Sequence, residues 1–356
     1  IFAHEIANPV DRGIRTGPCA DGKHRWWQNV CDPQNILERS PARRILVTRP
    51  DPRISTLGPH KGAVPFNQAQ IKVFSKADRQ LGRLDMYSEY IPNLDLFIRM
   101  HVVKEATQSS KIEGTNTNIE DALQDIEEIE VEKRGDWEEV QNYISALNQA
   151  IESLEKLPIS SRLIKQAHKV LLKGVRGKNK LPGEFRTSQN WIGGASISDA
   201  TFIPPPAAEV SRLMGDLEKF AHNEEVFFPE LLKVALIHYQ FETIHPFLDG
   251  NGRVGRLLIT LYLVEKGILK KPVLYLSDFL EKNRKLYYDN LMRVRIDHDL
   301  KQWFKFFLVG VAETARNSIE TFDKILKLQR EIEVKIQNLG SRASNARLVI
   351  NSLFQN

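Results

Sequence analysis

His245-Pro246-Phe247-Leu248-Asp249-Gly250-Asn251-Gly252-Arg253-Val254-Gly255-Arg256 joins two apolar segments, and its reading decides the fold. Upstream, Pro229 to Thr243 carries Leu231, Leu232, Val234, Ala235, Leu236, Ile237, Tyr239 and Phe241. That stretch is too apolar on every side for a surface helix, so the pattern predicts a buried one. Downstream, Asn251 to Lys266 carries Leu257, Leu258, Ile259, Leu261, Tyr262, Leu263 and Val264, with Gly267 where a helix C-cap falls. The polar loop is therefore expected to be held between two core helices.

The loop's residue types point to phosphate chemistry. Gly250 and Gly252 permit a tight turn and a close backbone approach, so that successive N–H groups form an anion nest at the start of the second helix. Arg253 and Arg256 fall three residues apart on one face of the first turn, placed to grip neighbouring phosphates. Asp249 offers a carboxylate of the kind that holds Mg²⁺ together with phosphate oxygens and water. His245 is the one group there whose ordinary pKa suits proton abstraction near neutrality.

This segment resembles the HxFx(D/E)GNGRxxR signature of the Fic family, and every defined position matches. The resemblance implies transfer of AMP from ATP to a hydroxyl side chain of a target protein, with pyrophosphate released. Carried over by position, it makes His245 the base and Asp249 the Mg²⁺ ligand. It places Phe247, Gly250, Asn251, Gly252, Arg253 and Arg256 around the nucleotide. The related Doc-type kinase pattern has Lys where this chain has Gly252, which favours nucleotidyl over phosphoryl transfer.

The 356 residues allow two domains, and 42% hydrophobic with 27% charged residues is ordinary for a soluble globular protein. A net charge of +5 suits phosphate chemistry without arguing for nucleic acid. With no apolar run long enough to span a bilayer and no signal pattern, the expectation is a cytoplasmic protein with no membrane partner. Cys19 and Cys31 are read as free thiols, a metal role with His24 being the alternative.

Four regions are expected. Residues 1–65 form an arm rich in breakers, with Trp26-Trp27 and a strand-like Ile45 to Thr48 run, and have no assignment. Residues 66–156 are helical, with helices over Asn67 to Tyr90 and Leu94 to Gln108 and an acidic helical stretch from 117 to 156 whose charge run reads as a solvated face. Residues 157–312 form the catalytic core, with a helix over Arg162 to Leu172 and a closing helix over Trp303 to Val311. Residues 313–356 form a charged helical tail, too short for a complete winged helix and, by resemblance to Fic proteins of this layout, read as the start of a truncated one.

Within the second region, Ser109-Ser110-Lys111-Ile112-Glu113-Gly114 resembles the inhibitory (S/T)xxxE(G/N) motif of one class of Fic proteins. The resemblance implies that Glu113 pairs with Arg256 and occupies the γ-phosphate space. The alternative is a surface glutamate before a C-cap glycine. In the third region, a Pro182-Gly183-x-x-Arg186 lead-in is followed by Asn190 to Gly194 and Ala200 to Pro206, two β-prone runs around a small polar loop that read as a hairpin. In Fic proteins a similar flap covers the active loop, with Ile192, Phe202 and Ile203 here as its target-binding residues; an ordinary surface hairpin is the alternative. Asn283, Tyr287 and Tyr288 are implied to flank the adenine or ribose, with Tyr288 preferred over its neighbour.

The expectation is thus a mainly α, Fic-type helical bundle with a small β-hairpin flap over the active loop. Its function is expected to be protein adenylyl transfer with ATP and Mg²⁺, restrained by Glu113, on a hydroxyl-bearing protein or on itself, with a homodimer implied by the resemblance. AMP removal or another nucleotide donor is the rival within enzymology, and a non-catalytic DNA-binding regulator is the rival from another class.

Overall fold

The computed structural model describes residues 68–90, 94–174, 179–224 and 228–355, so the expected arm, both cysteines and His24 lie outside the described residues. The helices are α1 Gln68–Tyr90, α2 Leu94–Ile112, α3 Ile119–Ala122, α4 Arg134–Ser153, α5 Ser161–Leu171 and α6 Val210–His222. They continue as α7 Glu230–Ile244, α8 Asn251–Glu265, α9 Ser277–Lys282, α10 Arg284–Asp297, α11 Leu300–Gln337 and α12 Ala343–Gln355.

α7 and α8 form the centre. Every α7 residue from Leu231 to Ile244 is buried, and so is α8 from Arg253 to Leu263, as their unbroken apolar surfaces require. They pack on each other, with α6, α11, α4, α5 and α2 around them. Gly255 permits the close crossing, because a Cβ there would stand 2.4 Å from the Glu242 carboxylate. Trp303 of α11 enters this core and donates its indole N–H to the Ala235 carbonyl at 2.9 Å. At the far end of α8, Gly267 takes φ +63 and the Ile268 N–H reaches back to the Leu263 carbonyl at 3.0 Å, the expected glycine cap.

Three elements differ from the sequence expectation. The acidic stretch is not one helix: α3 is four residues long, two single 3₁₀ turns follow at Ile126–Glu128 and Val131–Lys133, and regular helix begins at Arg134. Although Ala122 and Ile129 are buried, short local segments form instead of a continuous helix, the first capped by the Asn118 side chain on the Asp121 N–H at 2.6 Å. α11 runs unbroken through the position where core and tail were separated, because Phe322 is buried and stacks on Phe97 at 3.7 Å, tying the second half of the helix to the start of α2. The flap contains no strand among the described residues. A single antiparallel bridge joins Ile192 and Phe202, with Ile192 N–H to Phe202 carbonyl at 2.9 Å and Phe202 N–H to Ile192 carbonyl at 3.1 Å. Gly193 and Gly194, both at positive φ, turn the chain away on one side, and Pro204 to Pro206 remove the donors on the other.

Among the described residues no helix is long and apolar enough to cross a membrane.

Candidate active site

The loop between α7 and α8 is held from its inside. His245 caps α7 in the left-handed conformation (φ 50, ψ 62), and its N–H closes on the Phe241 carbonyl at 2.9 Å. Phe247 is fully buried and stacks on His168 at 3.7 Å. The Asn251 carboxamide accepts from the Phe247 N–H at 2.8 Å and donates to the Phe247 carbonyl at 2.9 Å. Gly250 begins α8 at φ 75, wedged where a Cβ would meet Leu171 at 3.3 Å. Phe247 and Asn251, expected beside the nucleotide, thus have side chains committed to shaping the turn.

His168 of α5 supports the loop from below. The Gly183 N–H donates to its Nδ1 at 2.9 Å, so Nε2 carries the proton and donates to the Asp249 carbonyl at 3.0 Å. Burial holds its pKa down to about 4, which keeps this neutral tautomer in place. The Asp249 carboxylate, 45% exposed, accepts from the Gly250 N–H at 2.6 Å and lies 3.5 Å from Arg253 Nη2. Among the described residues no group of three His, Cys, Asp or Glu side chains is arranged to hold a metal. A half-open single carboxylate fits Mg²⁺, which takes most of its shell from phosphate oxygens and water.

Both loop arginines are buried, and each meets a glutamate from the N-terminal helices. Arg256 donates from Nε to Ser109 Oγ at 2.8 Å, and from Nη2 to the Ser109 carbonyl at 2.9 Å and to Glu113 Oε1 at 2.7 Å. Arg253 Nη1 donates to Glu139 Oε2 at 3.2 Å, an oxygen that also accepts from Thr115 Oγ1 at 3.2 Å. Burial raises the Glu113 pKa, but the Arg256 guanidinium more than offsets it and leaves the carboxyl below its usual value. Burial likewise opposes the charge on Arg256, and Glu113 beside it holds the guanidinium firmly protonated. Glu113 is seated directly over Gly252: a Cβ at 252 would stand 2.2 Å from Glu113 Oε1.

At the other end, cations surround His245. Arg186 hydrogen-bonds the His245 carbonyl from Nε at 2.9 Å, the Ser188 carbonyl from Nη1 at 3.2 Å and the Pro205 carbonyl from Nη2, clamping the flap to the end of α7. Asn190 adds a hydrogen bond to the Phe247 carbonyl at 3.0 Å. Phe202 and Ile203 are buried at the flap base, while Ile192 is half-buried. Burial, with Arg295 and Arg186 adding to it, pushes the His245 imidazole down to about 4, so it is neutral at pH 7. Its Nδ1 is shielded from solvent and lies toward the Glu242 carbonyl without a well-formed hydrogen bond.

The adjacent tyrosines of α10 separate. Tyr287 is buried and its hydroxyl meets His238 Nε2 at 2.9 Å; His238 Nδ1 donates to the Gly255 carbonyl at 2.9 Å. Tyr288 is 39% exposed, and the half-buried Asn283 donates to the Phe279 carbonyl at 2.9 Å.

Residues 71–152 match the Fic/DOC family N-terminal model, and residues 158–263 match the Fic/DOC family model. The chain belongs to the Fic/DOC family. It is 26% identical over 251 residues to a probable protein adenylyltransferase of Aquifex aeolicus, covering 68% of this chain and 72% of that one. It is 34% identical over 125 residues to the protein adenylyltransferase Fic of Aedes aegypti, covering 35% of this chain but 22% of that one. The chain thus spans about a fifth of the length of its insect relatives. A Fic family protein from Desulfovibrio desulfuricans has the same fold (TM-score 0.58, 23% identity, 74% of this chain and 77% of that one). So does Fic-1 from C. elegans (TM-score 0.55, 20% identity, 73% and 74%).

Within this Fic fold, several side chains that build the site carry no local sequence signal. Glu139 lies mid-helix in α4, Arg295 near the end of α10, and Glu242 three residues before His245 on what reads as a purely core helix. Burial raises the Glu242 pKa to about 7, and its Oε1 has no hydrogen-bond partner among the described residues. Only Arg186 had a visible cue, the Pro182-Gly183-x-x-Arg186 lead-in to the flap.

Proposed function

We propose that this chain is a protein adenylyltransferase, moving AMP from ATP to a Tyr, Thr or Ser hydroxyl of a protein, itself included, and restrained by Glu113. The observation that carries the reading is the convergence at one turn of a neutral imidazole, a half-open carboxylate, a glycine-started helix and two buried arginines. In this reading the triphosphate displaces Glu113 from Arg256 and lies on Arg253, Arg256 and the N–H groups of the α8 N-terminus. Residues 66–156 supply the restraint and residues 157–312 the transfer machinery.

His245, unprotonated at neutral pH, takes the proton of the target hydroxyl. The hydroxyl oxygen forms a bond to the α-phosphorus as the bond to the bridging oxygen breaks, and the electron pair leaves with pyrophosphate. Asp249 would hold Mg²⁺, which when bound neutralises charge on the phosphates. Tyr288, the exposed member of its pair, and Asn283 flank the adenosine. The flap aligns the target by main-chain pairing along Ile192 and Ile203, extending the one bridge already formed.

The test is an intact-mass measurement of the Glu113→Gly protein after incubation with ATP, alone and with cell lysate. One AMP gained by the protein or by a lysate protein is the expected result, lost in Glu113→Gly/His245→Ala while ATP binding persists. No mass gain, or gain undiminished by His245→Ala, refutes the proposal.

A further inference from the structure

Arg295 is a buried guanidinium with no carboxylate at ion-pair distance among the described residues, which is costly unless other contacts compensate. Apart from Nη1 on Met292 Sδ of its own helix at 3.5 Å, its contacts lie on the two elements that frame the transfer site. Nη2 donates to the Glu242 carbonyl at 3.3 Å and Nε faces Thr243 Oγ1 at 3.4 Å, in the last turn of α7; the Tyr239 hydroxyl is a further partner one turn earlier. Its planar face covers the Phe202 ring at 3.7 Å, at the base of the flap. Two carbonyls at the C-terminal end of α7, those of Glu242 and Ile244, are thus taken by guanidiniums, Ile244 by Arg186 at 3.4 Å.

We propose that Arg295 is a positioning residue for the transfer reaction, locking the left-handed turn that presents His245 to the base of the flap that presents the target. The inference rests on the adenylyl-transfer reading. It follows from geometry: a side chain that binds both α7 and Phe202 transmits any movement of the flap to the imidazole. The charge adds a second effect. The groups around the imidazole are Arg295 on α10, Arg186 before the flap, Glu113 at the end of α2 and Glu242 on α7, with Arg256 of α8 beyond Glu113. Arg295 follows burial as the next largest influence and disfavours protonation of His245, so the base stays free to accept a proton.

Arg295→Met and Arg295→Lys are to be compared in the Glu113→Gly background, by steady-state transfer kinetics and by NMR titration of the His245 ring, assigned by its loss in His245→Ala. Arg295→Met is expected to lower kcat about tenfold or more with the KM for ATP unchanged, and to raise the His245 titration midpoint by about one unit. Arg295→Lys keeps the charge but not the fork, so its midpoint is expected to stay while kcat falls severalfold. If Arg295→Met does not fold, the lysine variant decides alone. Kinetics and titration both unchanged from the parent, or kcat and ATP affinity falling together, overturn the proposal. If the Glu113→Gly parent transfers no AMP, the functional reading fails, and the titration still reports on the coupling of Arg295 to His245.

Discussion

The two ends of one loop are built on opposite electrostatic plans. At the α8 end, two buried arginines meet carboxylates, Arg256 with Glu113 at 2.7 Å and Arg253 with Glu139 at 3.2 Å. At the α7 end, an imidazole sits among guanidiniums, Arg186 and Arg295, with no carboxylate hydrogen-bonded to it. In the proposed reading, the first plan is an anion site already filled by carboxylates, and the second keeps the base uncharged. A cradle of free arginines would bind phosphate strongly and without control; one closed by glutamates opens only to a ligand that outcompetes them.

The largest expected effect breaks the α7 end. His245→Ala in the Glu113→Gly background should lower transfer about a thousand-fold, with the KM for ATP nearly unchanged. Breaking the α8 end works in the other sense: Glu113→Gly should raise self-labelling of the otherwise intact protein about tenfold or more. Gly252→Ala is expected to lower self-labelling severalfold even in the Glu113→Gly background, because its Cβ, 2.2 Å from Glu113 Oε1 and 2.9 Å from Arg256 Nη1, would stand in the space the triphosphate needs.

The contrast is sharpened by pH. Because the His245 pKa is lowered to about 4, kcat/KM of Glu113→Gly should stay level from pH 8 down to about 5.5, with its acid limb below the ordinary histidine range. Because Glu113 is held below its usual carboxylate value, its contact with Arg256 is present above that value and lost only as pH falls through the depressed one. The ratio of Glu113→Gly to parent activity should therefore be constant over the same range. The smallest effect is on stability. Glu242 has a raised pKa of about 7, so its contribution is full below the ordinary glutamate value and is lost as pH rises through 7. Glu242→Gln should raise Tm by about 3 °C at pH 8.5 and leave it unchanged at about pH 4.

The division between the two ends also explains what could be read from sequence. The α8 end is local: Gly250, Gly252, Arg253 and Arg256 lie within seven residues, and Glu113 sits in a short motif of its own. The helices flanking the loop were legible because α7 and α8 are apolar all round, a pattern that tertiary context does not reverse. The α7 end is assembled from afar, with Arg186 59 residues before His245 in sequence. Arg295 comes from another helix, where a lone arginine in a charged stretch looks like surface. Proximity to the motif also does not reveal which way a side chain faces. Phe247, Asn251 and Tyr287 were expected at the nucleotide, yet their side chains are enclosed and committed to Phe241, the loop backbone and His238. Their neighbours Asp249 and Tyr288 remain open. The flap lost its strands for a reason visible only in hindsight, as Gly193-Gly194 and Pro204 to Pro206 leave room for a single bridge.

One measurement tests the central claim most directly: the Glu113→Gly protein incubated in parallel with ATP labelled in the α-phosphate and ATP labelled in the γ-phosphate. Covalent label from the α-position alone, absent when His245 is alanine, is the expected result. Label from the γ-position, or none from either while the protein is folded and binds ATP, would contradict adenylyl transfer at this loop.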